Sequence, residues 1–394
     1  MSKILVLAVV VLVIIAIAQL SKMYELSRKV AKKREEDISL ASNKLNAKLM
    51  LVYMVAFYAF FIYLTVAYGE HMLPVAASEH GAKVDTLMDL NLVFVSAVFF
   101  LMNTLLFVFA SKYYKREGQK AKFQPHDNRL ELIWTVIPSI VLFAIIISGL
   151  VVWNDITDAP KEDAIVIEIY SKQFDWTARY GGDNNQLGNA SVNFISATNP
   201  LGVISSEVLV DKKAEMNAEI EAIESDLENK VFSDANEAAL KTKLSNLKAQ
   251  RARVAGFKYS DEELALGYDD KLVKAEFHIP VGRQVHFQFR SQDVIHSAYM
   301  PHFRAQMNTV PGMTTVFNIT PTITTDSMRT ITGNKDFNYV LMCNKICGSA
   351  HYNMKMDIIV ESEEDYNKWL ADQKTFAKAY GLEEKAKDLA VNNK

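Results

Sequence analysis

Four long runs without a charged residue, at 4–20, 50–68, 92–110 and 133–153, constrain this chain more than any other feature. At about 1.5 Å rise per residue, roughly 20 helical residues cover the ~30 Å hydrocarbon core of a bilayer. Each run is therefore expected to be a transmembrane helix. Half of the residues are hydrophobic, yet nearly all charge-free apolar runs fall before residue 155. The chain beyond that point has an ordinary soluble composition, so a membrane-anchored part and a soluble part are expected.

The connecting loops set the topology. Loop 21–49 carries Lys22, Arg28, Lys29, Lys32, Lys33, Arg34, Lys44 and Lys48, and loop 111–132 carries Lys112, Lys115, Arg116, Lys120, Lys122 and Arg129. Loop 69–91 has only Lys83. The positive-inside rule places the two basic loops in the cytoplasm and both termini, with everything after residue 154, outside. A cleavable signal is the competing reading of the first run, since Lys3 and Ala16, Ile17 and Ala18 fit that pattern. Cleavage would export the basic loop 21–49 and upset the parity of crossings, which favours a retained helix. The formal net charge of −3 is too mild for a nucleic-acid partner.

From residue 164 the pattern shortens to alternating runs at 164–170, 273–279, 284–290, 314–319 and 356–360. A period of two, with Gly and Pro breaks at 280–282 and 311–312, predicts half-buried strands in an antiparallel β-sandwich or barrel. One stretch departs from it. Met216, Ile220, Ile223 and Leu227, then Leu240, Leu244, Leu247 and Val254 after a break at 233–236, predict a helical hairpin with a narrow apolar seam. Its charges read as a solvated face. The stretch from Glu363 to about Leu389 also reads as helix, with Trp369 and Phe376 as anchors.

Chemistry concentrates near the end of the soluble part. The only two cysteines, Cys343 and Cys347, are four residues apart, and a disulfide across so short a loop would constrain little. His351 and Met354 come next, at spacings of four and three, with Gly348 at the bend. Thiolates with imidazole and thioether select copper, and two thiolates can bridge two ions. His296, after a predicted strand, can supply a second imidazole. A buried thiol pair, a redox switch or zinc remain open for Cys-x3-Cys alone, although Met ligation and the spacing argue against zinc. His71, His80, His126, His278, His286 and His302 read as structural.

The combined string resembles the copper loop of subunit II of heme-copper cytochrome c oxidases, Cys-x-Glu-x-Cys-Gly-x-x-His-x-x-Met, in all but the Glu. Asp293-Val-Ile-His296-Ser, Val310-Pro311-Gly312 and Leu130-Glu131-Leu132-Ile133-Trp134-Thr135 with Pro138 resemble further family segments. The similarity covers about residues 90–360 without the hairpin. It implies N-terminal transmembrane α-helices followed by an all-β, cupredoxin-like Greek-key domain with an inserted helical hairpin. The expected divisions are an extra region with two helices at 1–75, the subunit II transmembrane hairpin at 90–154, the copper domain at 160–362 with its insert at about 207–256, and a helical tail at 363–394.

The resemblance also implies a binuclear copper A centre held by His296, Cys343, Cys347, His351 and Met354, with the backbone carbonyl of Lys345 completing the set. Lys345 stands where the family has a Glu that helps bind magnesium, and Asn308 where it usually has an Asp, so magnesium in this subunit is doubtful. Glu131 matches a carboxylate at the mouth of a proton path, or simply favours the helix dipole. Phe174, in Gln173-Phe174-Asp175-Trp176, occupies the place of the electron-receiving Trp, and Trp176 is the alternative or a packing residue. The implied partners are membrane lipid, the heme-bearing subunit I, other oxidase subunits and a c-type cytochrome donor, free or within a respiratory supercomplex. The implied location is a bacterial inner membrane, with the copper domain on the periplasmic side. The chain would pass electrons rather than carry out the oxygen chemistry.

Three other classes share parts of this pattern. A membrane-tethered copper-delivery protein can use Cys-x3-Cys and a remote His, but His351, Met354 and the membrane spans disfavour it. A quinol oxidase subunit would lack the thiols. Nitrous oxide reductase needs a histidine-rich second cluster that eight histidines cannot readily furnish.

Overall fold

The computed structural model describes residues 2–30 and 39–382. They fall into two units. The first takes residues up to 73 together with 90–140, and the second takes 74–89 and everything from 141.

In the first unit, apolar runs become helices: α1 (Ser2–Val30), α2 (Leu40–Tyr68), and most of α3 (Glu79–Lys112), followed by the start of α4 (Asn128–Thr157). Among the described residues, three helices are long and apolar enough to cross a membrane, beginning at Leu40, Glu79 and Asn128. The expected first span, 4–20, lies within α1, where side chains before residue 11 are outside the described set. The Ser39 side chain caps α2 by accepting from the Ser42 N–H at 3.2 Å. Aromatic residues join α2 to α3. Phe61 stacks on Phe99 with centroids 5.0 Å apart, and Tyr58 donates to the Phe100 carbonyl at 3.0 Å. That hydroxyl needs such a partner where no water is available.

The second unit is a sandwich of two five-stranded sheets. β1 (Ile165–Lys172), β2 (Asp175–Tyr180), β3 (Lys271–Val273), β5 (Val285–Ser291) and β8 (Thr315–Ile319) form one, in the order β3-β2-β1-β5-β8. β4 (Glu276–Pro280), β6 (His296–Met300), β7 (Ala305–Thr309), β9 (Tyr339–Cys343) and β10 (Lys355–Glu361) form the other, in the order β4-β10-β9-β6-β7. The all-antiparallel expectation is corrected here, because β1 with β5 and β10 with β4 pair in parallel. These are pairs of strands distant in sequence, whose direction alternation alone does not reveal. The expected strand 273–279 is in fact two strands, separated at Ala275, which takes φ 71°. Between the sheets lie Ile167, Ile169, Trp176, Phe277, Phe287, Phe289, Leu341 and Ile358, all fully buried.

The helical insert covers the other face of β1. α5 (Ser206–Asn229) and α6 (Asp234–Gly256) form the expected hairpin, broken one turn earlier than predicted, at 230–233. Ser233 occupies the N-cap position, and Asp234 and Glu237 place acids in the first turn of α6, where the helix dipole favours them. Val208, Met216 and Val254 pack with Tyr170, Phe194, Leu201 and Ile204 in a second core. The C-terminal helix is also shorter than expected. α7 (Asp261–Ala265) and α8 (Thr325–Thr332) precede α9 (Glu363–Asp372) and α10 (Phe376–Tyr380), and the chain interrupts its helix at 373–375, where Thr375 caps a new one. This break lets Phe376 bury in the second core while Trp369 packs on the first. Residues beyond 382, the rest of that predicted helix, lie outside the described residues.

Within the same unit, residues 74–89 dock on the sandwich. Ala77 N–H donates to the His302 carbonyl at 2.7 Å, Thr322 N–H to the Ala77 carbonyl at 2.9 Å, and Arg304 pairs with Asp85 at 2.7 Å.

Candidate metal centre

The first donor sits where β5 turns into β6. Asp293 and His296 flank that turn, and the fully buried His296 ring points its Nδ1 at Cys343 Sγ, 3.8 Å away. Its Nε2 is 2.9 Å from Asp293 Oδ1. Such a carboxylate fixes the ring orientation and leaves the other nitrogen free to ligate. Burial tends to raise the Asp293 pKa. Bonds from His296 and from the backbone N–H groups of Gln173 and Val294 more than offset this and hold it below the usual range.

The other donors come from the loop between β9 and β10. Cys343 ends β9 and its N–H donates to the Met354 carbonyl at 3.0 Å, closing the loop. Cys343 Sγ and Cys347 Sγ are 3.8 Å apart, too far for a disulfide and close enough to share ions. Cys347 Sγ also meets His351 Nδ1 at 3.6 Å and Met354 Sδ at 3.9 Å. The Lys345 carbonyl turns toward Cys343 Sγ at 3.1 Å, while the Lys345 side chain is exposed. Donor atoms of His296, Cys343 and Cys347 all lie within 4.8 Å of one another. Burial, and then the neighbouring Cys343 thiol, push the Cys347 thiol up to about 11. A soft cation must therefore displace protons as it binds.

This donor set fits copper. It pairs two thiols and one buried thioether with two imidazoles, and among the described residues the short contact to these sulfurs is that of the Lys345 carbonyl with Cys343. The structure thus brings together His296, Cys343, Cys347, His351, Met354 and the carbonyl of Lys345, stretches 47 positions apart in the chain at the His296–Cys343 contact.

The other singled-out residues fare differently. Trp176 is fully buried, its ring 6.2 Å from His296 and its Nε1–H donating to the Met354 carbonyl at 3.4 Å. It is enclosed beside the donor set rather than presented at the surface. Phe174 is half-buried against Gly348, where an added Cβ would fall 2.7 Å from the Phe174 ring. Glu131 accepts from the Asp127 N–H at 3.4 Å in the first turn of α4 and lies 3.7 Å from His126, contacts that suit a helix start. The remaining histidines have other surroundings: His278 stacks on Trp369 at 4.1 Å, His286 bonds Asn318 at 2.7 Å, and His80 packs on Phe317. Sequence reading assigned no role to Asp293, although an acid three residues before a candidate ligand histidine was the available signal.

Fold and site together define a membrane-anchored chain whose two-sheet β domain gathers soft donor atoms at one point. Family models for the transmembrane and periplasmic domains of cytochrome c oxidase subunit II match residues 66–152 and 257–363. An alternative cytochrome c oxidase subunit 2 of Bradyrhizobium diazoefficiens is 30% identical over 267 residues, covering 68% of this chain and 71% of that protein. Cytochrome c oxidase subunit 2 of Thermostichus vulcanus is 25% identical over 318 residues, covering 79% and 82%. Among solved structures, the periplasmic domain of subunit II of cytochrome oxidase from Bradyrhizobium japonicum aligns over 54% of this chain and 95% of its own, at 14% identity and TM-score 0.27. The chain belongs to the cytochrome c oxidase subunit II family, whose members are part of an oxidoreductase. It is thus a membrane-anchored subunit of a respiratory oxidase. The second match starts at 257, directly after α6, so the helical hairpin lies outside it.

Proposed function

We propose that this chain is the electron-accepting subunit of its oxidase. It takes single electrons from a c-type cytochrome and hands them to the heme-bearing catalytic subunit, where oxygen is reduced to water and protons are pumped. The observation that carries this reading is the meeting of two thiol sulfurs 3.8 Å apart with an imidazole beside each and a thioether below. A binuclear copper pair bound there supplies one-electron chemistry with small reorganisation.

The chain's own residues hold and tune that site. His296, Cys343, Cys347, His351, Met354 and the Lys345 carbonyl are the ligands in this reading, and Asp293 orients His296. Burial of His296 and Met354 keeps water away from one side of the site. Phe174 is only half-buried where it packs on the ligand loop and so is the candidate for the electron input, since Trp176 is enclosed. Glu131 remains a candidate for the mouth of a proton path. With Lys345 and Asn308 in place of two acids, magnesium is not expected from this subunit.

In this reading the chain crosses the membrane four times, with both termini and the copper domain outside. Residues 1–75 are an added region, 90–154 the family hairpin, 160–362 the copper domain and 363–394 the tail. The test is copper content with electron paramagnetic resonance on the purified full-length chain. A seven-line hyperfine pattern, from one unpaired electron shared by a copper pair, supports the assignment. A single copper with a four-line pattern, or only colourless Cu(I), turns the reading to copper delivery.

A further inference from the structure

The candidate ligands belong to two separate segments, the start of β6 and the 343–354 loop, and their mutual placement sets the geometry of the site. We propose that the turn at Gln173 and Phe174, between β1 and β2, together with the first residues of β2 is a clamp that positions both segments at once. The proposal rests on the copper reading above.

Three contacts from this turn make the case. The Gln173 backbone N–H donates to Asp293 Oδ2 at 2.7 Å, and the other oxygen of that carboxylate holds the His296 ring at 2.9 Å. The Gln173 side-chain amide donates to the Cys347 carbonyl, on the opposite ligand segment. Trp176 Nε1–H then donates to the Met354 carbonyl at 3.4 Å. The Phe174 ring fills the space over Gly348, which takes φ 146°, so the loop closes against the turn.

The turn itself is anchored to strands. Lys172 pairs with Asp175 and Ser171 with Trp176 in the β1–β2 ladder, while Ser171 pairs with Ser291 in the parallel β1–β5 ladder. The Gln292 N–H donates to the Ser171 carbonyl at 2.9 Å, which sets the 293–296 turn beside the clamp. A site held by groups fixed to rigid strands keeps its geometry as its charge changes. Gln173 and Trp176 touch no metal-binding atom in this scheme; they act through Asp293 and the loop carbonyls, as positioning residues.

The decisive variant is Gln173→Leu, which removes the amide donor at an exposed position and keeps the volume. In the full-length, copper-loaded chain, its copper should leave to a chelator about 10-fold faster than in the unsubstituted chain, the low end of the effect typical of outer-shell partners. The hyperfine pattern should change as well. Lys172→Ala, next to the turn, should change neither. A release rate and spectrum equal to those of the unsubstituted chain overturn the clamp.

Hydrogen exchange on the metal-free full-length chain separates this failure from failure of the copper reading. The amides of residues 343–354 should exchange faster in Gln173→Leu whatever ion the site prefers, and unchanged exchange overturns the proposal. Trp176→Phe should add to both effects. If burial makes that variant unstable, Gln173→Leu carries the test alone.

Discussion

The second unit holds two polar clusters, one beneath the helical insert and one at the start of β6 and the 343–354 loop, and they are built on opposite rules. Beneath the helical insert, Glu168 meets both Arg179 and Arg290, with Arg290 Nη2 at 2.6 Å, and Arg179 meets Asp270 at 2.8 Å. Two acids and two bases cancel, and the leftover donors find the Gly188 and Ala190 carbonyls. At the other site, two thiols, two imidazoles and a thioether face one another at 3.6–3.9 Å, separations at which sulfur gains little. A buried cluster that satisfies itself is architecture, because its charges are worth keeping only when paired. Soft donors gathered without strong mutual partners are suited to a cation from outside.

This contrast predicts that damage to one cluster appears in metal spectroscopy and damage to the other in stability. The largest effect should come from Cys347→Ser. It removes the sulfur that meets Cys343, His351 and Met354, so the shared-electron copper signal should vanish while far-ultraviolet circular dichroism stays unchanged. A retained seven-line spectrum would remove Cys347 from the ligand set.

Arg179→Met should do the reverse. It leaves Glu168 and Asp270 buried without their shared partner and should cost about 3–5 kcal/mol in a denaturant melt, with the copper spectrum intact. A melt unchanged by the substitution would mean that the cluster is not holding the insert.

Gly348→Ala sharpens the boundary between the two effects. The new methyl would sit 2.7 Å from the Phe174 ring at a backbone angle that L residues rarely adopt. A loss of about 1–3 kcal/mol and a shifted copper spectrum are expected together. Finding only the stability loss would mean that the loop relaxes without moving its donors.

The last expected effect concerns pH and is read as a slope. Burial pushes Asp270 from its ordinary 3.8 up to about 7, against the pull of Arg179 and the Gly188 N–H. A carboxyl with a folded pKa above its unfolded one is held more tightly as an acid by the folded chain. Its contribution to stability is present below about pH 4 and is lost as the pH rises to about 7. Asp270→Asn should therefore flatten the stability profile across that window. An unchanged slope would assign it to other groups.

Much of this was legible beforehand because it depends on local pattern. Charge-free runs predict helices 50–68, 92–110 and 133–153, since in lipid the backbone must satisfy itself. The candidate ligand string at 343–354 is readable because five potential donor groups, counting the Lys345 carbonyl, fall in one loop of twelve residues. The heptad-like spacing of Met216, Ile220 and Ile223 likewise announces α5, whose buried face they form.

Other features depended on neighbours distant in sequence. The sequence Ile-Val-Ile-Glu-Ile-Tyr at 165–170 shows a strand, but only the packed fold reveals that Ile167 and Ile169 face the sandwich while Glu168 and Tyr170 face the insert. Parallel pairing of β1 with β5 brings residue 171 beside 291 and so carries Gln173 to Asp293. Local periodicity holds no record of which strand lies alongside.

By itself, then, the sequence determined the membrane segments, the soft-donor loop and the existence of the insert, because each is set by residue types within one or two turns or strands. Only the tertiary structure decided that His296 meets Cys343, that Asp293 and Gln173 bond beside them, that Trp176 is enclosed, and that Glu168 has two arginines to meet. Those outcomes come from side chains on strands distant in the chain, and long-range packing alone brings them within reach of a hydrogen bond or a shared ion.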